Sequence, residues 1–67
     1  MICRVEIWRD KKIIDTYTSE SVWECVKWVH REYLSYCDDD GFGCNIEVYI
    51  DGIKLTVSEK YNFGFYM

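Results

Sequence analysis

Residues 45–58 read NIEVYIDGIKLTVS, and they predict the sheet around which the rest of the chain is arranged. Apolar and polar residues alternate on both sides of Asp51-Gly52, as is typical of strands with one buried face. Asp-Gly favours a two-residue hairpin turn because both positions tolerate positive φ. A turn there pairs apolar residues across the two arms: Ile50 with Ile53, Val48 with Leu55, and Ile46 with Val57. Turn chemistry and hydrophobic pattern agree, so we predict a β-hairpin.

Residues 3–18 predict a second hairpin. CRVEIW alternates like a half-buried strand, RDKK supplies the turn, and IIDTYT returns. The adjacent Ile13 and Ile14 interrupt the alternation, so the pattern alone does not determine the face of the returning strand. A loop of two or four residues places Trp8 opposite Ile13 and Ile14 opposite the residue before Trp8. Under this register Trp8, Ile13 and Tyr17 share the outer face of the sheet.

Between the hairpins, the spacing predicts a helix from about Ser19 or Ser21 to Cys37. Ser21 followed by Glu24 fits a capping box, in which each residue satisfies a free amide of the other. At about 100° per residue, one face of this helix is an apolar arc that consists of Val22, Cys25, Val26, Val29, Tyr33, Tyr36 and Cys37. Trp23 and Leu34 widen the arc on one side. Trp28 lies away from this arc among charged residues, so we expect it to be exposed.

The predicted order is ββαββ over a single domain, residues 1–67. Two hairpins bury an amphipathic helix only if they join in one sheet with the helix across a face. We therefore predict a two-layer α+β fold with a four-stranded antiparallel sheet. The tail EKYNFGFYM alternates again, which predicts a short fifth strand or an extended segment packed on the domain, with a segment that docks onto a partner as the alternative. The sheet face away from the helix then carries Glu6, Trp8, Tyr17, Glu47, Tyr49 and Lys54.

The composition indicates a folded domain with more apolar surface than one small core hides. The chain has 67 residues, of which 49% are hydrophobic and 18% aromatic, and it has no proline. A domain of this size buries only about 60% of the surface that its unfolded chain exposes. We therefore expect some large apolar side chains to be exposed, or covered by a second copy or a partner.

The net charge of −4 argues against direct nucleic-acid binding. Such binding relies on a surplus of lysine and arginine that neutralises phosphates. Trp8, Tyr17 and Tyr49 could form a base-stacking platform on the open sheet face. We expect the carboxylates of Asp15 and Glu47 on the same face, however, and these repel phosphates. An acidic surface instead favours basic partners.

The N-terminal stretch MICRVEIWRD reads as a charged strand rather than a signal peptide. No apolar run approaches the roughly 20 residues of a membrane span. We therefore expect a cytoplasmic protein without a membrane partner. In that compartment the four cysteines Cys3, Cys25, Cys37 and Cys44 are expected to be reduced thiols. A Cys37–Cys44 disulfide is the alternative in an oxidising setting.

The segment YCDDDGFGCNIE resembles a calcium loop at first sight. With Gly41 at the sixth position of an EF-hand loop, Asp38 and Asp40 take the third and fifth, and Glu47 takes the twelfth. The first position is then Tyr36, which has no carboxylate. The residues after the loop also predict a strand where an EF-hand has a helix. We therefore interpret the segment as a turn that ends the helix.

No metal, cofactor or catalytic set is predicted elsewhere. The cysteines and His30 lack the paired short spacings of zinc sites. His30 has no neighbouring nucleophile pattern, and the chain contains neither a phosphate-binding loop nor a nucleophile-elbow motif. We therefore expect a protein that is not an enzyme and binds no cofactor.

Aromatic and acidic residues remain as candidates for a function. Tryptophan and tyrosine dominate the hot spots of protein interfaces. The predicted partner-binding residues are Trp8, Tyr17, Trp28, Asp38, Asp39, Asp40 and Tyr49. The three aspartates lie near the predicted helix C-terminus, where they oppose the helix dipole. Their position indicates an electrostatic contact with a basic surface.

Two functional hypotheses follow. The first is a small acidic protein-binding domain that inhibits a host protein and originates from a phage or mobile element. Its strand–helix–strand layout is similar to that of small bacteriophage proteins that bind and inhibit host enzymes, and size and element order carry this resemblance. Asp38, Asp39 and Asp40 indicate a cellular partner with a basic surface, and imitation of nucleic acid by this acidic patch is one specific form of the inhibition, ranked below inhibition in general. The second is a homo-oligomeric accessory protein whose aromatic sheet face is its own dimer interface.

Overall fold

The structure, a computed structural model, describes residues 1–37 and 44–66. In chain order the described elements are β1 (Cys3–Arg9), β2 (Lys12–Ser19), α1 (Val22–Cys37), β3 (Cys44–Ile50), β4 (Ile53–Lys54) and α2 (Val57–Phe63). The strands form one antiparallel sheet in the order β2-β1-β3-β4. This confirms the predicted α+β fold, in which a four-stranded antiparallel sheet accompanies one main helix.

The hairpin of β3 and β4 turns where the sequence predicts. Asp51 and Gly52 both have positive φ, 52° and 82°, and Ile50 pairs with Ile53. One residue beyond β4, the amide of Leu55 still donates to the carbonyl of Val48 at 2.8 Å. The predicted pairing stops there, because the chain leaves the sheet and starts α2.

The predicted fifth strand is wrong, because the chain forms α2 in its place. Thr56 and Glu59 form a capping box: the Glu59 amide donates to Thr56 Oγ1 at 3.2 Å, and the Thr56 amide donates to Glu59 Oε1 at 2.9 Å. This reciprocal pair satisfies amides at the helix start. Gly64 ends the helix in the left-handed conformation with φ 94°. Val57, predicted to pair with Ile46, is therefore the first residue of a helix.

The N-terminal hairpin contains a bulge that changes the face of β2. Its turn has two residues, and Trp8 pairs with Ile13 as predicted. The register then shifts, so that Asp15 lies opposite Ile7 and the extra residue is Ile14. The prediction that Ile14 lies opposite Ile7 is therefore wrong. Because one extra residue reverses the alternation that follows it, Tyr17 lies on the face that α1 covers.

The core lies between α1 and the inner face of the sheet. Its buried apolar residues are Cys3, Val5, Ile7, Cys25, Val26, Trp28, Val29, Ile46, Val48, Leu55 and Phe65. The Cys25 thiol donates to the Cys3 carbonyl at 3.5 Å, and both thiols are free. Burial, together with the neighbouring Cys25 thiol, raises the pKa of Cys3 to about 12. Cys3 and Cys25 are therefore unreactive core residues, as their small apolar character predicts.

The helix presents a different tryptophan to the core from the one expected. Trp28, predicted to be exposed, is 7% exposed, and its ring stacks on Tyr17 with centroids 5.2 Å apart and planes inclined by 11°. Trp23, predicted to border the apolar arc, is 64% exposed. The buried stripe of α1 is therefore turned toward β2, because the bulge places Tyr17 on the inner face, where Trp28 covers it.

At each edge of the sheet, a side chain forms a hydrogen bond with a backbone group that faces away from the neighbouring strand. β4 is too short to reach the Ile46 carbonyl of β3, and the buried Lys60 ammonium of α2 donates to that carbonyl at 2.9 Å. At the other edge, the Thr16 amide points away from β1, because bonded and non-bonded pairs alternate along an antiparallel ladder. The Asp15 carboxylate accepts a hydrogen bond from this amide at 2.8 Å.

The residues after α2 close the core against α1. His30 Nε2 donates to the carbonyl of Gly64 at 2.7 Å, and Phe65 is only 3% exposed. The tail therefore packs on the domain and does not extend the sheet. No helix in the described part of the chain is long and apolar enough to cross a membrane.

Candidate functional site

The sheet face opposite α1, here called the outer face, is the candidate site. Its residues alternate along the strands with those of the core, and they are Arg4, Glu6, Trp8, Ile13, Thr16, Thr18, Asn45, Glu47, Tyr49 and Lys54. Trp8 and Tyr49 lie on this face as predicted, and both are half-buried. The described helices leave the face open, because α1 packs on the other side and α2 lies at the β3 edge.

One row across the strands consists of two cations and an aromatic ring. Arg4 pairs with Tyr49 across β1 and β3, and Tyr49 pairs with Lys54 across β3 and β4. Neighbouring strands are about 4.8 Å apart, so the Cα atoms of Arg4 and Lys54 are about 10 Å apart. Tyr49 therefore lies between two positive charges.

The next row places two carboxylates directly opposite each other. Glu6 pairs with Glu47 across β1 and β3. Like charges in this position destabilise a sheet unless other groups compensate them. Glu6 is compensated by Arg4, with Nη2 and Oε2 3.1 Å apart, and it accepts a hydrogen bond from Trp8 Nε1 at 3.1 Å. This hydrogen bond fixes the indole of Trp8 to Glu6. The carboxylates of Glu6 and Glu47 are here called the floor of the outer face.

Glu47 lies between two lysines of different exposure. Its Oε2 is 2.9 Å from Nζ of Lys54, and its Oε1 is 3.0 Å from Nζ of Lys60. Burial alone would raise the pKa of Glu47, but hydrogen bonds from the two lysines lower it below its usual value. Burial alone would likewise lower the pKa of Lys60, but Tyr66 and Glu47 raise it above its usual value. The Glu47–Lys60 pair is therefore charged at neutral pH.

Tyr49 separates two shallow hollows on the outer face. One, of about 390 Å³, is lined by Trp8, Arg9, Asp10, Lys11, Asn45, Glu47, Tyr49 and Lys54. The other, of about 400 Å³, is lined by Ile2, Arg4, Glu6, Thr18, Tyr49 and Gly52. Each hollow has room for a side chain or two of a partner but neither encloses a small molecule, as a ligand pocket does.

Two predicted contact residues are not on this face. Tyr17 lies on the inner face, and Trp28 is buried beneath the sheet, so the exposure on which their prediction was based is wrong. Asp38, Asp39 and Asp40 lie outside the described residues. Among the residues that are described, no three metal-ligating side chains cluster together.

Sequence reasoning missed the roles of two residues, one beneath the outer face and one at a separate groove. Lys60 anchors Glu47 from α2, and the TVSE capping box that starts α2 is the signal that could have placed it on a helix. Trp23 borders a third hollow, a mainly apolar groove of about 530 Å³ between α1 and the tail, which is also lined by Val26, Lys27, His30, Arg31 and Gly64. The helical pattern favoured burial of Trp23 over Trp28, and it was wrong because the bulge in β2 places Tyr17 where Trp28 covers it.

Comparison with known protein families, curated proteins and solved structures gives no match for this chain.

Proposed function

We propose that this protein is a non-catalytic protein-binding domain and that the outer face is its contact surface. The observation that carries the proposal is the position of Trp8 and Tyr49 on an open sheet face, above ion-paired and hydrogen-bonded carboxylates. Tryptophan, tyrosine and arginine are the residue types that contribute most to binding hot spots. Arg4 lies in the same row as Tyr49 and completes this set.

The hydrogen bond beneath the Trp8 ring favours binding. Trp8 Nε1 is bonded to Glu6, and Glu6 is 7% exposed. A side chain that already has its bound orientation loses less conformational entropy when a partner arrives. Trp8 therefore presents its ring in a fixed orientation, and this raises the affinity obtained from its contact area.

The biological role that we propose is inhibition of a larger cellular protein. The resemblance in size and layout to small bacteriophage inhibitors supports this role, as does the exposure of aromatic residues on a chain this short. Asp38, Asp39 and Asp40 remain the predicted contact to a basic surface of that protein. In this role the protein blocks a site sterically and needs no catalytic group of its own.

A capture experiment with matched variants tests the proposal. The tagged protein is incubated with bacterial lysate, and retained proteins are identified by mass spectrometry. We expect the double variant Trp8→Ala, Tyr49→Ala to lose a partner that the wild type retains. Trp23→Ala, which removes an equally large aromatic ring from a different surface, should keep it. Capture that survives the double variant contradicts the proposal.

The same variants separate a partner of different sequence from a second copy of the chain. The mass of the protein in solution is measured by light scattering during size-exclusion chromatography. A wild-type dimer that the Trp8→Ala substitution converts into a folded monomer would assign the outer face to self-association. A monomeric wild type that captures another protein supports the inhibitor role.

A further inference from the structure

We infer that the outer face binds an extended acidic segment of another protein, with Arg4 and Lys54 contacting two carboxylates of that segment on either side of Tyr49. The inference rests on the proposed function, because it specifies the chemistry of the partner for the same face. It differs from the basic partner surface predicted for the acidic residues 38–40, which belong to another part of the chain.

The cationic groups of the outer face lie closer to solvent than its carboxylates. The side chains of Glu6 and Glu47 are only 10% and 17% exposed, whereas those of Arg4 and Lys54 are 52% and 57% exposed. The carboxylates thus form the floor, and the cationic groups lie above them toward solvent. An approaching partner meets positive charge first, although the whole chain carries a net charge of −4.

The spacing of the two cations suits carboxylates that lie two residues apart in an extended segment. The Cα atoms of Arg4 and Lys54 are about 10 Å apart across Tyr49. In an extended segment, side chains two residues apart point to the same side and are about 7 Å apart. The long, half-exposed side chains of arginine and lysine accommodate the difference. Two carboxylates in an acidic-x-acidic pattern therefore match this row, while the backbone between them crosses the ring of Tyr49.

The outer face suits a polyanion such as a nucleic acid less well than a short acidic segment. Each cation of the row already contacts one carboxylate of the floor, Arg4 with Glu6 and Lys54 with Glu47. Together with the buried Lys60, which also contacts Glu47, these groups carry three positive and two negative charges, and this single surplus charge supports only a small number of additional carboxylates. A nucleic acid carries one phosphate per nucleotide and requires a groove with surplus cations along its length. A short acidic protein segment is therefore the better fit.

The three tryptophans provide the reporters for the test. In a nitrogen–proton correlation spectrum of the labelled full chain, the indole N–H groups of Trp8, Trp23 and Trp28 give separate signals. Only the Trp8 indole is bonded to the floor of the outer face. Titration with a short peptide of alternating glutamate and serine should therefore shift the Trp8 signal and leave the other two in place. An unchanged Trp28 signal also shows that the core stays folded.

Charge-neutral substitutions test the assignment of the two cations. Arg4→Gln and Lys54→Gln should each raise the half-saturating peptide concentration about two- to fivefold, the value of one exposed ion pair. Lys27→Gln is the matched control, because Lys27 is also half-exposed and paired with a glutamate but lies on α1. It should leave the titration unchanged.

Three outcomes would overturn the inference: the acidic peptide shifts no signal, a peptide of alternating lysine and serine shifts the Trp8 signal instead, or oligothymidine shifts it at a lower concentration than the acidic peptide. Failure here is distinguishable from failure of the proposed function. If lysate capture still depends on Trp8 and Tyr49, the outer face is an interface and only the inferred partner chemistry is wrong.

Discussion

Lys60 shows how one side chain connects three parts of the molecule. Its ammonium donates to the Ile46 carbonyl at 2.9 Å, contacts Glu47 at 3.0 Å and lies 5.5 Å from the centroid of the Tyr66 ring. The side chain is only 4% exposed, so these contacts replace water. A buried lysine requires such partners, because an unpaired buried charge is strongly unfavourable.

Replacement of Lys60 should therefore cost far more than replacement of the other lysine on the same carboxylate. We expect Lys60→Met to destabilise the fold by about 1–3 kcal/mol, because it leaves a buried carbonyl and a carboxylate without this donor. Lys54→Met removes an exposed partner of Glu47 and should have a much smaller effect. Urea unfolding monitored by circular dichroism measures both. Equal losses would contradict the importance of burial.

At the scale of secondary-structure elements, the bulge in β2 determines which tryptophan of α1 is buried. Trp23 and Trp28 are about 140° apart around the helix, so only one can face the sheet. The bulge places Tyr17 on the inner face, and Trp28 stacks on it. Aromatic stacking of this kind adds about 0.5–1.5 kcal/mol to the burial of the ring.

Truncation of the two tryptophans should therefore change the free energy of unfolding by very different amounts. We expect Trp28→Ala to lower the free energy of unfolding by about 3–5 kcal/mol, a large part of the stability of a domain this small. Trp23→Ala should change it by no more than about 0.5 kcal/mol, because the side chain is 64% exposed. Chemical denaturation of both variants is the measurement. A larger loss for Trp23→Ala than for Trp28→Ala would contradict the burial of Trp28 against Tyr17.

The capping box of α2 is a second element with a measurable contribution. Thr56→Ala removes the hydroxyl that accepts from the Glu59 amide and should destabilise the protein by about 1 kcal/mol. Ser58→Ala, an exposed position in the same helix, is the control and should cause no loss. Thermal unfolding compares the two. No difference between the variants would mean that the cap contributes nothing to stability.

These elements also show what the sequence can and cannot predict. The hairpin at Asp51-Gly52 was predictable because its turn chemistry is local. The face of Tyr17 was not, because a bulge depends on how two strands pair. The start of α2 was encoded at Thr56, but the two-residue alternation of the tail pointed to a strand. For the candidate site, Trp8 and Tyr49 followed from alternation alone, whereas the depth of the charges depends on which side chains cover others.

At the scale of the whole molecule, charge is distributed unevenly. The outer face presents the exposed groups of Arg4 and Lys54 to solvent, yet the net charge is −4. The excess of negative charge therefore comes from other residues of the chain, among them Asp38, Asp39 and Asp40, which lie outside the described residues. The exposed cations make association with a charged partner depend on salt.

The stability of the domain should also depend on pH through Glu47. Its pKa is lowered in the folded state from the usual 4.5, so its contribution is present above about pH 4.5 and is lost as the pH falls through the folded-state pKa. We expect wild type to be more stable than Glu47→Gln at neutral pH, with the difference shrinking under acid. Urea unfolding at a series of pH values measures this difference.

Glu24→Gln is the control for this prediction, because Glu24 forms an exposed pair with Lys27 on α1. It should change stability little at any pH. A difference between wild type and Glu47→Gln that stays constant under acid would contradict a charged Glu47–Lys60 pair. Lys60 limits the stability of the domain at the alkaline end of the pH range. Its pKa is raised from 10.5, so its contribution is present below that pH and is lost as the pH rises further.

The side chains at the two sheet edges have a consequence for concentrated solutions. An exposed strand edge is a template on which other chains add to form fibrils. Here an incoming strand would have to displace the Lys60 ammonium from the Ile46 carbonyl at one edge and the Asp15 carboxylate from the Thr16 amide at the other. The native protein should therefore resist amyloid growth even though nearly half of its residues are hydrophobic.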